Sequence, residues 1–138
     1  MELTMDISPA AKARVKQLTD YPTGGLVIFV GPEASGKSHA AKYLIEGVGA
    51  NFLHKAIPLG PHLQAIHHLT LDPDGFHVLT VDGLEEKDAS AQDEFFTFVI
   101  NMGLRRMIYI VECRSLSGLD KRLLGFGEVI EFDDRGKA

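Results

Sequence analysis

Gly31, Gly36, Lys37 and Ser38 stand in the order G-x-x-x-x-G-K-S within the stretch LVIFVGPEASGKSHAAKYL. That spacing suits one kind of chemistry, the cradling of a polyphosphate. Two glycines let a short loop turn its N–H groups inward, and a following helix adds the partial positive charge of its N-terminus. Lys37 would reach the β and γ phosphates, and the Ser38 hydroxyl would ligate Mg²⁺. The nucleotide-contacting set is therefore Gly31, Pro32, Glu33, Ala34, Ser35, Gly36, Lys37, Ser38 and His39.

A phosphate loop of this type needs an acid at the end of a neighbouring strand to hold the cation. FHVLTVDG supplies Asp82, so Ser38 and Asp82 form the expected metal pair. A glutamate directly after that aspartate would polarise an attacking water, but the position is Gly83. Glu85 and Glu86 follow closely and join Asp82 as the candidate catalytic acids. Of the six histidines, His62, His67 and His68 lie near one another without a zinc-ligand spacing or a cysteine pair. Their expected role is structural or at the surface. The single Cys113 has no assignable partner histidine and reads as a small residue at the core edge.

These residues need a frame, and the hydrophobic pattern supplies one. Residues 26–30 form a continuous apolar run of the kind a doubly covered strand requires, and the segment from Ser38 has apolar residues at helical spacing. Ser8-Pro9 opens a helix over residues 9–18. Residues 51–59 form a plausible second strand, 60–69 a short helix and 72–75 a turn. Residues 76–82 form a strand that ends in Asp82. Next comes a helix with Ser90 as cap and Gly103 as stop, then strands at 107–112 and 128–133 with a short helical turn between them. Strands alternating with helices imply an α/β fold, a parallel sheet of about five strands covered by helices on both faces.

With 138 residues and 45% hydrophobic content, residues 1–138 are expected to form a single nucleotide-binding domain. No apolar run has membrane-spanning length and the N-terminus lacks signal-peptide order, so the expected location is cytoplasmic and no membrane partner is foreseen. One cysteine agrees with a reducing compartment. The net charge is −5, and the basic residues sit in small groups: Lys12, Arg14 and Lys16; Arg105 and Arg106; Lys121 and Arg122. Any nucleic-acid role is therefore expected to be indirect or local.

With its phosphate loop GPEASGKS, the helix ASAQDEFFTFV after the acid and the closing VIEF, the chain resembles the ATP-binding core of AAA+ P-loop proteins. Bacterial clamp-loader subunits and the DnaA/Hda replication-initiation group are the nearest in pattern. The resemblance implies an AAA+-like core that binds ATP or ADP with Mg²⁺. It places a polar sensor at the end of the fourth strand, where VECRS puts Cys113 or Arg114, and an arginine finger before the last strand. Gly125 or Phe126 falls at that finger position, with Arg122 close by. The helical lid that follows such cores is expected to be absent, because the chain stops at Ala138.

The function so implied is nucleotide binding in a replication-associated or assembly factor, with weak or partner-dependent ATP hydrolysis. Another protein subunit or a second copy would be the partner. An alternative is a hydrolysis-dead adaptor that keeps the fold as a platform for protein contacts. A small-molecule kinase fits less well, since residues 51–59 offer no acceptor-binding acid and the arginines show no lid cluster.

Overall fold

A computed structural model describes residues 9–20, 25–32, 36–51, 54–58, 76–103 and 107–132. Its elements run α1 (Pro9–Asp20), β1 (Gly25–Val30), α2 (Lys37–Asn51), β2 (His54–Pro58), β3 (Phe76–Asp82), a 3₁₀ turn (Leu84–Glu86), α3 (Ala89–Met102), β4 (Met107–Cys113), α4 (Lys121–Phe126) and β5 (Glu128–Glu131). The strands form one sheet in the order β2-β3-β4-β1-β5, and every described pairing is parallel. The helix expected at 60–69, the turn at 72–75 and the three histidines His62, His67 and His68 lie outside the described residues.

Strand alternation divides the core in two. Val27, Phe29, Val78, Ile108, Ile110 and Ile130 point to the face covered by α1 and α2, where they meet Ala11, Val15, Ala40 and Leu44. Leu26, Ile28, Leu79, Val81, Tyr109 and Val111 point the other way, against Phe95 and Val99 of α3 and Leu123 of α4. All seven residues of β4 are buried. That two-sided burial explains why 26–30 and 107–112 read as continuous apolar runs rather than alternating ones. Phe95 and Phe98 both meet the Tyr109 ring edge-on at 6.4 Å between centroids, which fixes α3 against β4. The Tyr109 hydroxyl donates to the Gly103 carbonyl at 2.8 Å, and burial raises its pKa to about 12.

Local signals account for most boundaries and explain two differences. Helix α3 is capped by Asp88 rather than Ser90, because the Asp88 carboxylate accepts from the Ala91 N–H at 2.8 Å. Strand β2 starts later than residue 51, because α2 extends through Asn51. Among the described residues, no helix is long and apolar enough to cross a membrane.

Helix α1 is joined to the edge strand β5 by a two-pronged ion pair. Arg14 Nε and Nη2 donate to Glu128 Oε2 and Oε1 at 2.5 and 2.6 Å. The hydrogen-bonded guanidinium lowers the Glu128 pKa from its ordinary 4.5. A lowered carboxylate pKa stabilises the fold above the ordinary value, and that stabilisation is lost as pH falls through the lowered one. Both groups are more than a third exposed, so screening keeps the effect small. Arg14→Gln should therefore cost no more than about 1 kcal/mol near neutral pH. Urea unfolding of both proteins across the acid range should show that difference closing as the pH falls below 4.5.

Candidate functional site

All strands being parallel, their carboxyl ends and the loops that follow share one edge of the sheet. Ligands of open α/β sheets bind outside that edge, where the strand order reverses. Here β1 lies between β4 and β5, so the loop after Val30 emerges at the reversal. Three backbone bonds pin the edge: Gly31 N–H donates to the Cys113 carbonyl at 3.1 Å, Phe132 N–H to Val30 at 2.7 Å and Gly83 N–H to Glu112 at 3.3 Å.

The loop then closes into α2. Gly36 is buried with φ 97°, a conformation that a side chain would strain, and its carbonyl accepts the first helical bond from Ala40 N–H at 2.9 Å. The first N–H groups of a helix have no intrahelical partner, so the amides at Lys37, Ser38 and His39 are placed as anion donors. The Lys37 ammonium bends back over the loop and donates to the carbonyls of Gly31 and Pro32, the latter at 3.2 Å. His39 is half-buried, and its Nε2 is buried without a hydrogen-bond partner among the described residues. Glu33, Ala34 and Ser35 lie outside the described residues.

The acids fall into two groups. Asp82 ends β3 and lies opposite Glu112 of β4, which lies in turn opposite Phe29 of β1. By alternation Asp82 and Glu112 share the α1–α2 face with Val78, Ile108 and Ile110. Ser38 Oγ donates to Glu112 Oε1 at 2.8 Å. Glu112 is only 8% exposed. Burial raises its pKa first of all, and the Asp82 charge pushes in the same direction, while the Ser38 bond and the Lys37 charge oppose them.

Glu85 and Glu86 lie on the 3₁₀ turn, whose Leu84 packs into the α3-side core. Both are held by Arg114: its N–H donates to Glu85 Oε2 at 2.8 Å, and its Nη2 meets Glu86 Oε1 at 2.5 Å. Cys113 points into the α3-side core, opposite in sense to Glu112 and Ser38, and burial pushes its thiol pKa up to about 11. Neither candidate for the sensor therefore faces Ser38; Glu112 does. Sequence reading missed Glu112, although its parity with Ile108 and Ile110 in MIYIVEC was a usable signal.

Arg122, near the expected finger, is engaged within the chain. Its guanidinium bonds Asp120 and Asp93 and lies 4.6 Å from the Phe96 ring centroid, clamping α4 to α3. The Arg122 guanidinium, together with the Arg122 N–H, lowers the Asp120 pKa to about 2.

Among the described residues, no group of three or more His, Cys, Asp or Glu side chains could hold a metal by itself. A donor set of one hydroxyl and one carboxylate, Ser38 and Asp82, with Glu112 behind the serine, suits Mg²⁺, which usually takes one or two carboxylates and completes its shell with phosphates and water.

No family model matches the chain, and no curated protein resembles it in sequence. Solved structures do resemble it in shape. A Thermotoga maritima RuvB Holliday junction branch migration motor superposes with a TM-score of 0.72 and 11% identity, over 91% of this chain and 45% of that one. An arginine-to-alanine variant of the same RuvB gives 0.67 and 15% over the same shares. The fold is the AAA+ P-loop NTPase fold. The chain spans less than half the length of these RuvB proteins. At such identities the likeness concerns the backbone alone.

Gly83, directly after Asp82 where a water-activating glutamate would stand, has φ 77° and ψ 20°. Its left-handed backbone aims the 3₁₀ turn at Arg114, a task for which any side chain is strained. Gly83→Ala and Gly83→Glu should each destabilise the fold by about 1–2 kcal/mol. Urea denaturation checks this; a neutral or stabilising change would show that the turn tolerates a side chain.

Proposed function

We propose that the chain binds ATP or ADP as the Mg²⁺ complex in the loop from Gly31 to His39 and turns ATP over slowly or only with a partner. The observation that carries this reading is the convergence of Lys37, Ser38, Asp82 and Glu112 at the carboxyl edge beside β1. Gly31, Gly36 and the α2 amides would take the phosphate oxygens. The Lys37 ammonium would exchange the Gly31 and Pro32 carbonyls for the β and γ phosphates. Bound at Ser38 and Asp82, Mg²⁺ would supply charge neutralisation between the phosphates. Asp82, Glu85 and Glu86 remain the candidate acids for water activation, with the two glutamates first having to leave Arg114.

Slow turnover follows from groups already committed elsewhere. Arg114 and Arg122 are paired with carboxylates of their own chain, and a missing arginine finger is worth about 10³ to 10⁵ in rate in related phosphoryl-transfer systems. A second subunit or another protein would supply that charge, which fits a cytoplasmic replication-associated or assembly factor better than a free-standing ATPase. Its net charge of −5 favours protein contact over direct nucleic-acid binding.

Thermal unfolding with and without millimolar Mg·ATP tests the reading. At 100 times its dissociation constant the ligand stabilises the native state by about 2.7 kcal/mol, a rise of several degrees in Tm. Lys37→Ala should abolish that rise while its ligand-free form still unfolds cooperatively. An unchanged wild-type Tm would remove the proposal. Steady-state phosphate release from the isolated chain should stay well below about one per minute. Efficient turnover abolished by Glu85→Gln or Glu86→Gln would show instead that a glutamate reaches the water without a partner.

A further inference from the structure

Glu112 carries more than the nucleotide reading requires. A serine hydroxyl has one proton to donate and two lone pairs. If that proton went to a phosphate oxygen, Ser38 would compete with the cation for the phosphate rather than ligate the cation. In the structure the proton goes to Glu112 Oε1 at 2.8 Å, which leaves both lone pairs of Ser38 for an electrophile. The acceptor is held firmly: Glu112 is 8% exposed, lies within a strand buried along its whole length, and is flanked in register by Phe29 and Asp82.

We infer that Glu112 positions the Ser38 hydroxyl as a cation ligand and, with Asp82, makes the site select nucleotide as its divalent-cation complex over metal-free nucleotide. This rests on the nucleotide reading of the loop. Two neighbouring carboxylates next to a polyphosphate repel it in a partly dry edge, and the Lys37 ammonium offsets only part of that charge. A divalent cation reverses the sign, because it is attracted to the same two carboxylates and to the phosphate. Glu112 thus acts through Ser38 and through its charge. It is a positioning residue, distinct from the acids that could activate water.

Fluorescence of mant-ATP separates these contributions, first in EDTA and then with Mg²⁺ titrated in. Wild type should bind weakly in EDTA and strongly once Mg²⁺ is added. Glu112→Gln should raise the Mg²⁺ midpoint about 10- to 100-fold, the usual cost of removing a group that orients a metal ligand. It should also bind metal-free mant-ATP more tightly than wild type. Glu112→Asp keeps the charge but withdraws the oxygen from Ser38, so its Mg²⁺ midpoint should rise while metal-free binding stays weak. Ser38→Ala combined with Glu112→Gln should shift the midpoint by less than the sum of the single shifts, since both act on one hydroxyl. Equal Mg²⁺ midpoints in wild type and Glu112→Gln, with wild type binding Mg·mant-ATP, would overturn this inference alone. Failure of wild type to bind mant-ATP at any Mg²⁺ concentration would overturn the nucleotide reading and this inference with it.

Discussion

Parallel pairing places β1 between β4 and β5 with both faces covered, and the position of each candidate group follows from it. Parallel strands bring their carboxyl ends to one edge. Helix crossings bury both faces, so the strand interiors are mostly apolar and the acids Asp82 and Glu112 stand near the strand ends. The loop after Val30, Asp82 at the end of β3 and Glu112 near the end of β4 meet at that edge. Alternation then sorts them: Glu112 and Asp82 point to the α1–α2 face, where Glu112 meets Ser38, whereas Cys113 faces α3.

The two sides of the edge are wired differently. On the α2 side Lys37 folds back over the loop after β1, Ser38 bonds Glu112 with Asp82 on the same face, and the first amides of α2 lack intrahelical partners. Toward α3 several charges pair within the chain: Arg114 holds Glu86 through its guanidinium and Glu85 through its N–H, and Arg122 holds Asp93 and Asp120. Buried Gln92 links that side further, donating to Lys87 and Gly118 carbonyls and accepting from Asp120 N–H. Exposed ion pairs of this kind add little stability, but they fix where the loops after β3 and β4 can go.

What could be read from the sequence was what lies close together in it. The phosphate loop was legible because its chemistry needs consecutive backbone amides, and Asp82 because it ends an apolar strand. Helices α2 and α3 followed from apolar periodicity, and α1 from its Ser8-Pro9 start. The parity of Glu112 with Ile108 and Ile110 signals its face, but its meeting with Ser38 depends on β4 pairing with β1, strands far apart in the chain. Gly83 was noticed as a missing glutamate, whereas its φ of 77° shows a backbone requirement. The cap of α3 was misplaced by two residues because Ser90 and Asp88 are both good cap residues, and only the bond to Ala91 N–H separates them. Arg122 was considered near the finger position; its aromatic and carboxylate neighbours on α3 were not visible in linear order.

In the proposed function, the residues from Gly31 to His39 receive nucleotide phosphates. Backbone amide shifts in a ¹⁵N-labelled protein titrated with Mg·ADP test it most directly. The largest changes are expected at Gly31, Gly36, Lys37, Ser38 and His39, smaller ones at Asp82 and Glu112, and little along α3. Saturating Mg·ADP that leaves the Gly36 to His39 amides unmoved would contradict it.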